Sequence, residues 1–183
     1  ICNLPGETIM STLRVDKIEG MDTASKIQMP AGSLIQFTKV TDFQATNEVT
    51  GRLESASTSY VQSNLVAKIT PKFANSLINV RFASSISTNQ NSAHLVAYTI
   101  YRKIGSGSFA ALTNSGDYGI GSVMGTDRTQ APLIAECVDE THNTTEQIEY
   151  RVYARSNQGN VGNFELPNTG IEHFEGICME IAQ

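Results

Sequence analysis

The sequence predicts an all-β chain: an antiparallel β-sandwich, jelly-roll-like, over residues 33–183, behind an extended N-terminal arm over residues 1–32. Three observations predict it. No segment holds apolar residues at i, i+3, i+4 and i+7 for three turns, so helix evidence is thin. Short alternating or apolar runs recur instead, at spacings of roughly ten to twenty residues, between turns rich in Ser, Thr, Asn and Gly. The leading segment carries too few apolar residues to build a core. A chain of 183 residues accommodates one main domain plus such an extension.

In the arm, Leu13, Val15, Ile18, Ile27 and Met29 stand as isolated apolar residues. They are suited to adding short strands to another chain, with main-chain hydrogen bonds doing the docking; the plainer alternative is a terminal tail without fixed structure. "MPAG" (Met29–Gly32) reads as the joint to the head, because Pro30 fixes the backbone and lacks a donor and Gly32 permits a bend. "SLIQFTKV" sets Leu34, Gln36 and Thr38 against Ile35 and Phe37. "SNLVAKIT" follows and stops at Pro71. "SLINVRFASS" sets Leu77, Asn79 and Arg81 against Ile78, Val80 and Phe82. "AHLVAYTIYRK" (Ala93–Lys103) ends at the "GSGS" turn, and "FAAL" (Phe109–Leu112) is a short strand. Asn114–Gln130, glycine-rich and unpatterned, reads as an exposed excursion, and Asp117, Tyr118, Asp127 and Arg128 are its candidate recognition residues. "APLIAECVDE" (Ala131–Glu140) and "EQIEYRVYARS" (Glu146–Ser156) are strands, the second placing Ile148, Tyr150, Val152 and Ala154 on one face. "SNQGN" (Ser156–Asn160) has hairpin chemistry. "EGICMEIA" closes the chain with Ile177, Met179 and Ile181 on one face.

The chemistry is sparse. Net charge is −5 with no Lys/Arg cluster, which disfavours nucleic acid as a partner. No apolar run approaches the ~20 residues of a membrane span, and a signal peptide is not recognisable at the start. The three cysteines, Cys2, Cys137 and Cys178, form no CxxC pair, so neither a disulfide framework nor a zinc site is expected, and Cys137 and Cys178 read as inert, buried thiols. His94, His142 and His173 lack metal-ligand spacing and read as ordinary surface or loop histidines. "DETHNTTE" (Asp139–Glu146) lacks the alternating ligands and glycine of a calcium loop and reads as a solvated turn; its "NTT" matches a glycosylation acceptor that has meaning only in a secretory pathway. "GSGSF" lacks the Lys-Ser/Thr of a phosphate cradle. No catalytic residues, metal site or cofactor are expected, and the chain reads as a non-enzyme. Tyr98, Tyr101, Tyr118, Tyr150 and Tyr153, with amide and guanidinium neighbours, are compatible with a sugar-binding face, or with half-buried strand residues at a subunit contact.

"MSTLRVDKIEG" (Met10–Gly20) followed by "KIQMPAGSLIQ" (Lys26–Gln36) resembles the opening of small tail-fibre-like virion structural proteins of marine and cyanobacterial phages. Those open with Met-Ser-Thr-Leu-Lys-Val-Asp and then a Pro-Ala-Gly before an apolar strand. "SNLVAKITPKFANSLINVRF" (Ser63–Phe82), "EYRVYARSNQGNVGNF" (Glu149–Phe164) and "GICMEIAQ" (Gly176–Gln183) are similar to later segments of the same family. The likeness runs from Met10 to Gln183 with gaps. Ile1–Ile9 precede the family's initiator position, which fits either an upstream start or a longer precursor, and Asp117–Gln130 is poorly matched. The resemblance implies a homotrimeric virion protein, made in a host cytoplasm, with a β-sandwich head and a docking arm formed by Leu13, Val15, Ile18, Ile27, Met29 and Pro30. It implies partners among other virion proteins and host surface glycans. A tail-fibre or receptor-binding appendage, a capsid decoration or head-fibre protein, and a stand-alone carbohydrate-binding module are the functions to weigh.

Overall fold

The computed structural model describes residues 30–40, 53–88, 90–127, 129–158, 164–166 and 174–183. The arm positions Leu13, Val15, Ile18, Ile27 and Met29, together with Arg128 and His173, lie outside this set. Every regular element within it is a strand: β1 (Leu34–Val40), β2 (Leu53–Ser55), β3 (Val61–Ile69), β4 (Leu77–Thr88), β5 (Gln90–Ile104), β6 (Ala110–Ala111), β7 (Gly121–Asp127), β8 (Gln130–Asp139), β9 (Ile148–Ser156), β10 (Phe164–Leu166) and β11 (Glu175–Ile181).

Two antiparallel sheets form. The first runs β1-β11-β4-β8, with the short β10 and β2 continuing beside the far end of β4; the second runs β3-β9-β5, with β7 and β6 along the outer side of β5. The long strands pair as nested couples, β1 with β11, β3 with β9, β4 with β8 and β5 with β7. Successive couples fall in opposite sheets, which is the connectivity of a jelly roll. The fold turns its sharpest corner where β4 passes into β5 and β7 into β8. There the Thr88 amide donates to the Thr129 carbonyl at 2.9 Å and the Thr129 amide donates to Thr88 Oγ1 at 3.2 Å, so the backbone stays satisfied across the bend.

Alternation decides what fills the space between the sheets. Ile78, Val80 and Phe82 of β4, Leu65, Ala67 and Ile69 of β3, Val96 and Ile100 of β5, and Ile148, Tyr150, Val152 and Ala154 of β9 are all buried. Each large apolar side chain removed from water contributes about 1.5–3 kcal/mol. Phe82 stacks on Phe174 at 6.3 Å between centroids. Pro30 to Ser33 form a turn in front of β1: the Ser33 amide donates to the Pro30 carbonyl at 3.0 Å, and Gly32 sits at φ +84°, a conformation that costs other residues a steric penalty.

Five sequence expectations are corrected. The stretch Asn114–Gln130 is only partly an excursion, because β7 occupies Gly121–Asp127 and pairs with β5. A Cβ at Gly121 would collide with the Tyr98 ring and one at Gly125 with Thr129, so these glycines mark close approach within a strand. β1 is not a plain alternation. A register shift between Leu34 and Gln36 brings Leu34 to the same side as Phe37. Ser156–Asn160 does not link a hairpin, since β9 and β10 belong to different sheets. The "FAAL" strand shrinks to Ala110–Ala111. His94 is buried within β5 and not at the surface; His142 is the expected loop histidine, though buried, and with Asp139 it anchors the 139–146 turn in the interior.

Candidate functional site

The strand register lays the outer face of the first sheet out in rows. Phe37, Met179, Asn79 and Val138 form one row across β1, β11, β4 and β8, and Lys39, Ile177, Arg81 and Glu136 form the next. Leu34, Ile181 and Leu77 lie on a third, and Ala83 and Ile134 on a fourth. In β11 the buried side belongs to Gly176, Cys178 and Glu180, while Ile177, Met179 and Ile181 face outward and are part-exposed. That inverts the usual arrangement, in which the apolar face of an antiparallel strand packs inward. At the two edges Leu34 (55 %), Phe37 (51 %), Ile134 (54 %) and Val138 (48 %) are exposed. Asn79 and Arg81 of β4 separate the apolar residues of β1 and β11 from Ile134 and Val138 of β8; exposed apolar groups of this kind are suited to contact sites.

The inversion has a cause in Glu180. Its buried carboxylate accepts the Lys72 and Phe73 amides at 2.9 Å, the Ser76 hydroxyl at 2.7 Å and the Gln36 amide group at 2.5 Å. It thereby holds the β3–β4 connection against β1 and β11. His142 donates from Nε2 to the Ser76 carbonyl at 2.8 Å. Ser76, His142 and Glu180 are all buried, and Ser76 Oγ also lies 2.8 Å from the Phe73 carbonyl and 3.4 Å from His142 Nε2. The trio ties the two loops together.

A second lock spans the sheets. Asp139, fully buried at the end of β8, accepts Arg102 Nη1 at 2.6 Å, the Thr141 amide at 3.0 Å and the Tyr150 hydroxyl at 2.8 Å. Burial alone would raise the Asp139 pKa, but these donors outweigh it and hold the carboxyl below its ordinary value. Burial, with the Asp139 charge beside it, pushes the Tyr150 phenol far upward. Burial also pushes the thiols of Cys137 and Cys178 up to about 12, so both are poor nucleophiles.

The outer face of the second sheet carries the aromatic residues. Tyr60, Tyr101, Tyr153 and Phe109 form a ladder of ring contacts, with Tyr101 stacked on Tyr153 at 4.0 Å. Arg155 lies over Tyr60, and Lys103 and Arg151 lie over Phe109. Glu149 joins Lys68, Lys103 and Arg151. Despite its burial, these cations hold its carboxyl below the ordinary value. Of the expected recognition residues, Asp117 is brought to this ladder through Arg155 at 3.2 Å, helped by the Tyr60 hydroxyl donating to the Gly116 carbonyl. Tyr118 is 66 % exposed beside it in sequence. Asp127 ends β7 opposite Gln90, at the far end of the strand, so the four candidates are not one cluster; Arg128 lies outside the described residues. Sequence reading missed Tyr60 and Phe109, which only the register brings beside Tyr101 and Tyr153. Among the described residues no group of three or more His, Cys, Asp and Glu side chains is placed to hold a metal ion, and no helix is long and apolar enough to cross a membrane.

No family model and no curated protein matches the chain. Among solved structures it is similar to a chain of the IBDV viral particle, with 12 % identity and a TM-score of 0.41, over 80 % of this chain and 35 % of that one. A chain of infectious bursal disease virus strain Gt gives 15 % identity and a TM-score of 0.39, over 99 % of this chain and 47 % of that one. This chain therefore spans between a third and half of the viral chains it matches. A xylan-binding domain from Paenibacillus barcinonensis gives 13 % identity and a TM-score of 0.36, over 84 % of this chain and 97 % of that one. Likeness at this distance carries no inference about function.

Proposed function

We propose that the chain is the head of a homotrimeric structural protein of a virus particle, a tail-fibre-like or receptor-binding appendage attached to other virion proteins through its N-terminal arm. One observation carries the reading. The outer face of the first sheet presents Leu34, Phe37, Leu77, Ile177, Met179 and Ile181, a surface that calls for another protein as its cover. The likeness of "MSTLRVDKIEG" and "KIQMPAGSLIQ" to phage virion proteins supports the particle assignment. A capsid decoration or head-fibre role uses the same architecture. Imaging of the particle separates the two: density on the tail is expected, and density at capsomer centres would move the assignment to the capsid.

A stand-alone carbohydrate-binding module is the second reading, favoured by the ladder of Tyr60, Tyr101, Tyr153 and Phe109. The stacking of these rings on one another and under Arg and Lys side chains weighs against it, because sugars need a free ring face. A glycan array with the assembled protein tests it, and strong hits abolished by Tyr60→Ala would promote it. We assign the chain no catalytic step. A sugar-cleaving activity would require a carboxylate pair in a groove, whereas Asp139, Glu149 and Glu180 are each held by their own donors.

A further inference from the structure

We infer that copies of this chain join head to tail through the two opposite edges of the first sheet, with β1 of one copy against β8 of the next. This rests on the oligomeric reading above and names the surfaces that make it.

β1 pairs only with β11 and β8 only with β4, so among the described residues each keeps one free edge. Free edges with apolar side chains are templates for another strand. The register then decides which edges match. Phe37 and Val138 end the same row of the sheet, and Lys39 and Glu136 end the row beside it. Each neighbouring pair in β1-β11-β4-β8 is antiparallel, so β8 runs opposite to β1. A second copy placed one strand further along the sheet therefore brings its β1 antiparallel to β8. Its Phe37 comes beside Val138 and its Lys39 beside Glu136, an apolar pair and an opposite-charge pair in one alignment. Lys39 pairs with Glu175 of the adjacent β11 in its own chain, so Glu136 of the next copy would share or replace that partner. Glu136 is exposed and bonded to Asn79 at 3.1 Å, so the carboxylate is available at the other. Pro132, near the start of β8, lacks a donor, and the Ile134 carbonyl already accepts the Tyr98 hydroxyl at 3.4 Å, so useful pairing is confined to the 136–138 end.

Like edges fit worse. β8 against its own copy brings together two strands whose charged outward residue is Glu136, and β1 against its own copy two strands bearing Lys39. The complementary contact is heterologous, and a heterologous contact closes into a ring when each step rotates about a common axis.

Cysteine cross-linking reads the contact directly. The chain carries Cys2→Ser and Cys137→Ser as background, with Lys39→Cys, Glu136→Cys or both. Within one copy positions 39 and 136 are three strand spacings apart, about 14 Å, beyond the ~7 Å limit of a disulfide. The double variant is expected to give covalently linked dimers and trimers on mild oxidation, and each single variant none. Covalent dimers from a single variant, or no linkage in the double variant while its solution mass still shows an assembly, would overturn the proposed contact and leave the oligomeric reading standing. A wild-type chain that is a monomer at every concentration would remove both. Phe37→Asp and Val138→Asp, at exposed positions, provide a check that does not depend on oxidation. Each should weaken assembly at least about tenfold with unchanged far-UV dichroism, and wild-type assembly by both variants would count against the contact.

Discussion

Asp139 shows how much one side chain organises. It accepts hydrogen bonds from two strands of the opposite sheet and from the turn that follows it. Tyr150→Phe removes one donor and should cost about 1–3 kcal/mol, measured by urea unfolding. Asp139→Ala leaves Arg102 without its buried partner and should cost about 3–5 kcal/mol. Linkage gives a further check. The Asp139 and Glu149 carboxyls have folded pKa values below their unfolded ones. Their stabilisation is complete above about pH 4 to 5 and is lost as pH falls through the folded values. Tyr150 is shifted the other way; its contribution is complete below about pH 10 and is lost as pH rises beyond it. Stability against pH should show both limbs. Asp139→Asn should flatten the acid limb and Tyr150→Phe the alkaline one. The two thiols allow a simple readout: at pH 7.5 Cys178 should react with a thiol reagent only on unfolding, because it is buried and its pKa is raised.

At the level of elements, β11 and its neighbours decide how closely the sheets approach. A Cβ at Gly176 would lie 2.6 Å from the Val66 carbonyl oxygen and 2.9 Å from the Phe174 ring. The opposing backbone cannot yield as a flexible side chain would, so Gly176→Ala should cost about 1–3 kcal/mol, readable as a lower midpoint in urea. The same strand shows what was legible in the sequence. Period-two runs such as Ile148–Tyr150–Val152–Ala154 and Ile78–Val80–Phe82 announced both strand and inward face, because there the apolar set is also the buried set. In β11 the alternation was legible but its direction was not: Glu180 turns inward to bind loop amides contributed from about a hundred residues away in sequence. β7 was hidden because glycines required by close packing look like glycines of a loop. Tyr60 and Phe109 joined Tyr101 and Tyr153 only through pairings between distant strands, and the carboxylate locks likewise depend on non-local register.

For the whole molecule, nested strand couples close one core between two sheets and leave each sheet one outer face. The second sheet covers its own with aromatic rings and cations that satisfy one another. Among the described residues the first sheet leaves apolar side chains exposed and its β1 and β8 edges unpaired. That difference is the basis of the proposed self-association. Assembly should weaken modestly as ionic strength rises, because the Lys39–Glu136 pair is exposed and screened while the apolar row is not. The most direct measurement is the mass of the intact chain in solution by light scattering after size exclusion, at micromolar concentration and neutral pH. The account predicts three times the 19.8 kDa chain mass; a single 19.8 kDa species at all concentrations would contradict it.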